Sequence, residues 1–163
     1  MKKLAIKVAD EVWIAVALLH REQPERADFG ISEIVARAEK EGITPRLRPG
    51  VRVHATQHCV ADRPPNPGRY CMLTATATSR RRLYRPGDPI HPARRGAKQL
   101  PDRGDLPEKY RRLLDWYETD YAVRGRGKAD AADPILELRG RGAELWAGED
   151  ADAYVDRLRS DWR

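Results

Sequence analysis

Between Ala9 and Tyr84 the chain alternates helical and extended patterns in an order that few folds can accommodate. Ala9-Asp-Glu-Val-Trp-Ile-Ala-Val-Ala-Leu-Leu-His20 places Val12, Ala15, Val16 and Leu19 on one face at helical spacing, and this helix should stop near Pro24. Asp28-Phe-Gly-Ile31 reads as a short extended piece. A second helix from Ile31 to Glu41 aligns Ile31, Ile34, Val35 and Ala38 and ends at Gly42, suited to a left-handed cap. A third is expected from about Val51 to Asp62, with Val51, Ala55 and Cys59 recurring every fourth residue. After the stiff Pro64-Pro-Asn-Pro-Gly68, two extended runs, Tyr70–Thr76 and Arg80–Tyr84, flank Ala77-Thr-Ser79 and predict a β-hairpin.

Helix, short strand, helix, helix, hairpin is the order of the winged helix-turn-helix. The fold class expected is therefore α+β, mainly α, with a winged-helix-like head over residues 1–91. Residues 92–123 should form a Pro-rich arm with little core, then a helix opened by Pro107. In that helix Tyr110, Leu113, Leu114, Tyr117 and Tyr121 share one side, with Trp116 adjacent. Residues 124–132, with two glycines and no apolar period, read as a flexible linker. Residues 133–163 read as a helical tail. Its apolar residues are too few to bury one another, so the tail must dock on the head, on a second copy or on another protein.

Charge is unevenly divided. The chain carries +6 overall, but residues 133–163 hold eight acidic and five basic side chains, leaving 26 basic and 17 acidic, or +9, on the rest. A basic head with an acidic tail suggests two partners of different character. No apolar run approaches the ~20 residues of a membrane span, and Lys7 interrupts any leader-like core. A cytoplasmic protein without membrane association is expected. Cys59 and Cys71 cannot build a disulfide framework and are read as buried thiols. His54, His58, Cys59 and Cys71 lack a C-x-x-C pair, so neither a metal site nor a cofactor is expected. Nor is there a P-loop, G-x-S-x-G, H-E-x-x-H or dinucleotide glycine pattern. An enzyme is not expected. A nucleic-acid-processing enzyme or accessory subunit is the alternative reading.

Candidate DNA-binding residues sit in two places. Arg52, Thr56 and Gln57 lie off the inner face of the third helix, with His54 beside them. Arg and Gln read guanine and adenine edges in the major groove, and Arg46 and Arg48, just before the helix, would hold phosphates. The hairpin carries Arg80, Arg81 and Arg82, a charge cluster suited to a polyanion or to a solvated edge strand.

Two resemblances add to this. Residues 9–91, through Ala9-Asp-Glu-Val-Trp-Ile, Gln57-His-Cys-Val-Ala-Asp-Arg-Pro-Pro-Asn-Pro and Leu83-Tyr-Arg-Pro-Gly-Asp, resemble an uncharacterised family of prokaryotic winged-helix-like proteins. The stretch from Asp133-Pro-Ile-Leu-Glu-Leu-Arg-Gly-Arg-Gly through Glu-Leu-Trp to Tyr-Val-Asp-Arg-Leu-Arg-Ser-Asp-Trp162 is similar to the toxin-binding tail of VapB-type antitoxins. That resemblance implies a PIN-domain ribonuclease toxin as partner. Arg139 or Arg141 would face its acidic cleft, Leu145 and Trp146 would be apolar anchors, and Tyr154, Leu158 and Trp162 would lie in its groove. The expected function is then a transcriptional regulator of antitoxin type, with DNA and a toxin as partners. A plain winged-helix regulator that homodimerises through its tail is a further alternative.

Overall fold

The structure, a computed structural model, describes residues 6–65 and 69–124. The chain divides into two units, Met1–Gly125 and Arg126–Arg163, and the described residues all belong to the first. Everything expected of the linker beyond Arg124 and of the tail lies outside the described residues.

The described part is α+β and mainly helical. Helix α1 (Val8–Glu22) is followed by β1 (Phe29–Gly30), α2 (Ile31–Glu41), α3 (Gly50–Val53), β2 (Leu73–Ala77), β3 (Arg80–Leu83) and α4 (Glu108–Trp116). The three strands form one antiparallel sheet in the order β1-β3-β2, with Phe29 opposite Arg81 and Thr74 opposite Arg82. Among the described residues no helix is long and apolar enough to cross a membrane.

Helices α1 and α2 follow their patterns. The apolar stripe of α1 is buried, with Trp13 at its centre fully enclosed beside the Tyr117 ring. Helix α2 ends where Gly42 turns to φ 62°, a conformation that only a residue without Cβ adopts easily. At its start the Glu33 carboxylate accepts from the Gly30 N–H at 2.8 Å. Helix α4 buries Tyr110, Leu113 and Leu114 and widens into a π turn at Tyr117–Tyr121, so the expected aromatic face joins the core around Trp13.

The third helix departs from expectation. It widens after Val53 into a π turn over His54–His58, closed by the Cys59 N–H on the His54 carbonyl at 3.0 Å, and stops there rather than at Asp62. The chain is pulled away by β2. The Cys59 carbonyl accepts from the N–H groups of Met72 and Leu73, and Ala61 N–H donates to Leu73. The segment from 85 to 107 is irregular, as expected, but it contributes to the interior. A 3-10 turn at Pro92–Arg94 carries Arg94 inside, and Leu106 is fully buried in the main core.

Among the buried polar groups of the described residues, Asp10, Trp13 Nε1 and Arg85 Nε lack a hydrogen-bond partner, and Asp10 is the one carboxylate of the three. Both carboxylate oxygens of Asp10 are enclosed without a hydrogen-bond partner, and burial pushes its pKa up against the pull of Lys98 and Lys7.

Candidate nucleic-acid interface

The outer face of α3 and its π turn presents Arg52, Val53 and Gln57 to solvent, with Val53 45% exposed. Their positions follow from the inner face, where Val51, Ala55 and Cys59 are fully buried. The Thr56 hydroxyl donates to the Arg52 carbonyl at 2.7 Å, so its methyl group is what the helix can offer outward. His54 Nδ1 bonds the Gly50 carbonyl at 2.9 Å, and its ring meets His58 at 4.8 Å between centroids. Among the described residues no three His, Cys, Asp or Glu side chains converge as a metal site. Both cysteines are buried free thiols, and burial raises their pKa values.

The preceding loop divides its two arginines. Arg46 is exposed and has no carboxylate partner among the described residues. Arg48 is engaged: it donates to the buried Glu11 carboxylate at 2.5 and 2.8 Å and to the Ile6 carbonyl at 2.9 Å. It ties the start of α1 to the entrance of α3, so the arginine expected to meet a phosphate is already engaged with a carboxylate within the fold.

The hairpin arginines are also committed. Arg80 donates to Asp28 at 2.6 Å, and Asp28 is held below the ordinary carboxylate range by the Thr76 hydroxyl and then by Arg80. Arg82 forms a two-pronged pair with Asp88 at 2.6 and 2.7 Å. Burial pushes Asp88 up, but Arg82, Thr74 and the Arg85 N–H outweigh it and keep the carboxylate charged. Arg81, expected on the polyanion-facing edge, points inward and is 0% exposed.

Two buried guanidiniums finish α3. Arg81 donates to the carbonyls of Ala55 at 3.2 Å and Thr56 at 3.1 Å. Arg94, also 0% exposed, donates to those of Gln57 at 3.2 Å and His58 at 2.8 Å. Four consecutive carbonyls at the electronegative end of the helix are thereby satisfied by two cations, and neither makes a direct ion pair among the described residues; Asp62 acts on both only at longer range. Arg94 continues to the carbonyls of Arg63, Pro64 and Tyr70, binding the following loops to the same point.

Those loops carry cations that the sequence reading passed over. Arg63, Arg69 and Arg95 reach solvent without an acidic partner among the described residues. A signal was available: between Gly42 and Met72 the chain has five arginines against the single acid Asp62. The positive surface is therefore built around α3 and the loops at its end, not along the hairpin. The tail residues Arg139, Arg141, Leu145, Trp146, Tyr154, Leu158 and Trp162 lie outside the described residues.

Behind this surface His20 fixes the sheet to α1 and the last turns after α4. Its Nε2 lies 3.3 Å from the Tyr121 hydroxyl and 3.5 Å from the Leu83 N–H. Burial, then the charges of Arg85 and Arg82, push its pKa down to about 4. The unfolded chain thus binds a proton near pH 6.5 that the folded chain refuses until about pH 4. The associated stability is complete above pH 6.5 and is lost as pH falls toward 4, to a total of roughly 3 kcal/mol. Urea unfolding from pH 7 to 4 should show that decline, and His20→Gln should flatten it; an unchanged slope in the variant would refute the assignment.

No family model matches this chain, and no curated protein or solved structure matches it.

Proposed function

We propose that the chain is a DNA-binding transcriptional regulator whose head is a winged helix. It acts by binding, not by catalysis, with α3 as its reading element. Support for the fold comes from the order α1-β1-α2-α3-β2-β3 and the sheet order β1-β3-β2, in which each of the last two strands follows the helix pair as a hairpin would follow a recognition unit. The observation that carries the function is the exposed face of α3. Arg52 and Gln57 stand on a helix whose far end is locked by Arg81 and Arg94, near Arg46, Arg63, Arg69 and Arg95, which have no acidic partner among the described residues. A rigid donor-rich helix above a positive surface suits base edges flanked by phosphates. The wing in this reading is short and contributes shape, since Arg80 and Arg82 already hold Asp28 and Asp88.

The tail, residues 133–163, completes the proposal as the segment that binds a PIN-type ribonuclease, antitoxin fashion, through Arg139 or Arg141 and the apolar residues named above. Its support is the −3 charge and the aromatic residues that so short a segment cannot enclose.

The test is duplex binding by fluorescence anisotropy over a range of salt. Arg52→Ala should weaken binding by about 1–3 kcal/mol, and Arg46→Ala should lower the salt slope by about one unit. Arg80→Ala should change little. Absence of duplex binding by the full chain, or equal affinity for the Arg52 and Arg80 variants, would overturn the reading.

A further inference from the structure

The end of α1, the segment after β3 and the last turns after α4 enclose a cavity of about 250 Å3. Its lining includes four arginines, and their charges are not evenly met. Arg26 is paired with Glu33 at 2.6 and 2.9 Å. Arg124 is paired with Asp120, whose carboxylate also accepts from Trp116 Nε1 at 3.2 Å. Arg21 and Arg85 have no carboxylate partner among the described residues. The Arg85 guanidinium lies over the Tyr121 ring, 4.2 Å from its centroid, and its Nε is buried with no hydrogen-bond partner. Buried donors are satisfied in the great majority of cases, and no acceptor among the described residues meets the Arg85 guanidinium, so a group from outside the chain would complete it. His20 is neutral above about pH 4, so the positive charge of the cavity comes from its arginines.

We infer that this cavity binds a small doubly charged oxyanion attached to a flat ring, an aryl phosphate in its simplest form. The two unmatched guanidiniums set the charge, and their forked donors suit a phosphoryl group. The ring would pack beside Trp116, which already stands 5.5 Å from Tyr121 between centroids. The volume, below the roughly 300–1,000 Å3 of sites for drug-sized molecules, restricts the ligand to a small one. None of the lining residues belongs to the surface assigned to nucleic acid, so this inference does not rest on that reading.

Calorimetric titration of the full chain with phenyl phosphate, inorganic phosphate and benzyl alcohol tests it. Phenyl phosphate should bind at least about tenfold more tightly than inorganic phosphate, and benzyl alcohol should not bind. Arg85→Gln and Arg21→Gln should each weaken phenyl phosphate roughly tenfold or more, and Arg112→Gln, an exposed arginine on α4, should not. Arg21 is exposed at the mouth, so its variant keeps the test meaningful if the Arg85 variant fails to fold. Arg52→Ala should leave the titration unchanged, which separates this site from duplex binding. No heat with phenyl phosphate, parity with inorganic phosphate, or full affinity in Arg21→Gln would overturn the inference.

Discussion

Replacing Arg94 by methionine should lower the stability of the head by at least about 4 kcal/mol, a large share of the roughly 5–15 kcal/mol that holds an ordinary domain together. The side chain reaches five carbonyls, those of Gln57, His58, Arg63, Pro64 and Tyr70, and none of its surface is exposed. Methionine fills much of the same volume but donates nothing, and each stranded buried acceptor costs about 1–3 kcal/mol before relaxation. Lysine should rescue little. A single ammonium has three donors at one point, whereas the guanidinium fork spans carbonyls on three separate stretches of chain. Urea denaturation followed by circular dichroism would measure this. A loss below about 1 kcal/mol for Arg94→Met would show that the clamp is not what holds α3 to the loops.

Arg81→Met should cost slightly less, about 3–4 kcal/mol. Its five acceptors, on Ala55, Thr56, Ala77, Thr78 and Arg80, join the end of α3 to the hairpin turn. Three of them lie at or beside a turn where water can replace the lost donor. Arg80→Ala, one residue earlier in the same strand, is the informative comparison. It removes a partly exposed ion pair, and such pairs contribute at most about 1 kcal/mol. Equal losses in the two variants would contradict the distinction between an inward and an outward arginine. The double variant Arg81→Met/Arg94→Met should lose less than the sum of the two, because both serve adjacent carbonyls of one helix end.

The helical half of the fold was legible because its determinants are local. The stripe from Val12 to Leu19 and the stop at Gly42 state where α1 turns its face and where α2 ends, and the structure follows both. The end of α3 is not local. It is decided by β2, some fourteen residues further on, through Met72 and Leu73. The buried arginines were hidden for a related reason. A guanidinium that neutralises no acid leaves no complementary charge in the sequence to betray it, and Arg94 sits in a segment with no periodicity at all. Arg81 was more readable than its neighbours suggested. Alternation along β3 pairs it with Leu83, a core residue, and opposes it to Arg80 and Arg82. Side-chain parity, not charge density, decides which member of an arginine run turns inward. Of the expected interface, Arg52 and Gln57 lie where helical spacing put them, while Arg48 was claimed by Glu11 across the fold.

The clamp at the end of α3 recognises main chain alone. Arg81 and Arg94 hold carbonyl oxygens that every amino acid supplies, so the identities of residues 52, 56 and 57 do not enter their geometry. Substitutions on that outer face would therefore leave the anchoring of the helix intact. On the proposed reading of α3 as the DNA-reading element, a lineage could exchange one target sequence for another there without first having to rebuild the scaffold that presents it.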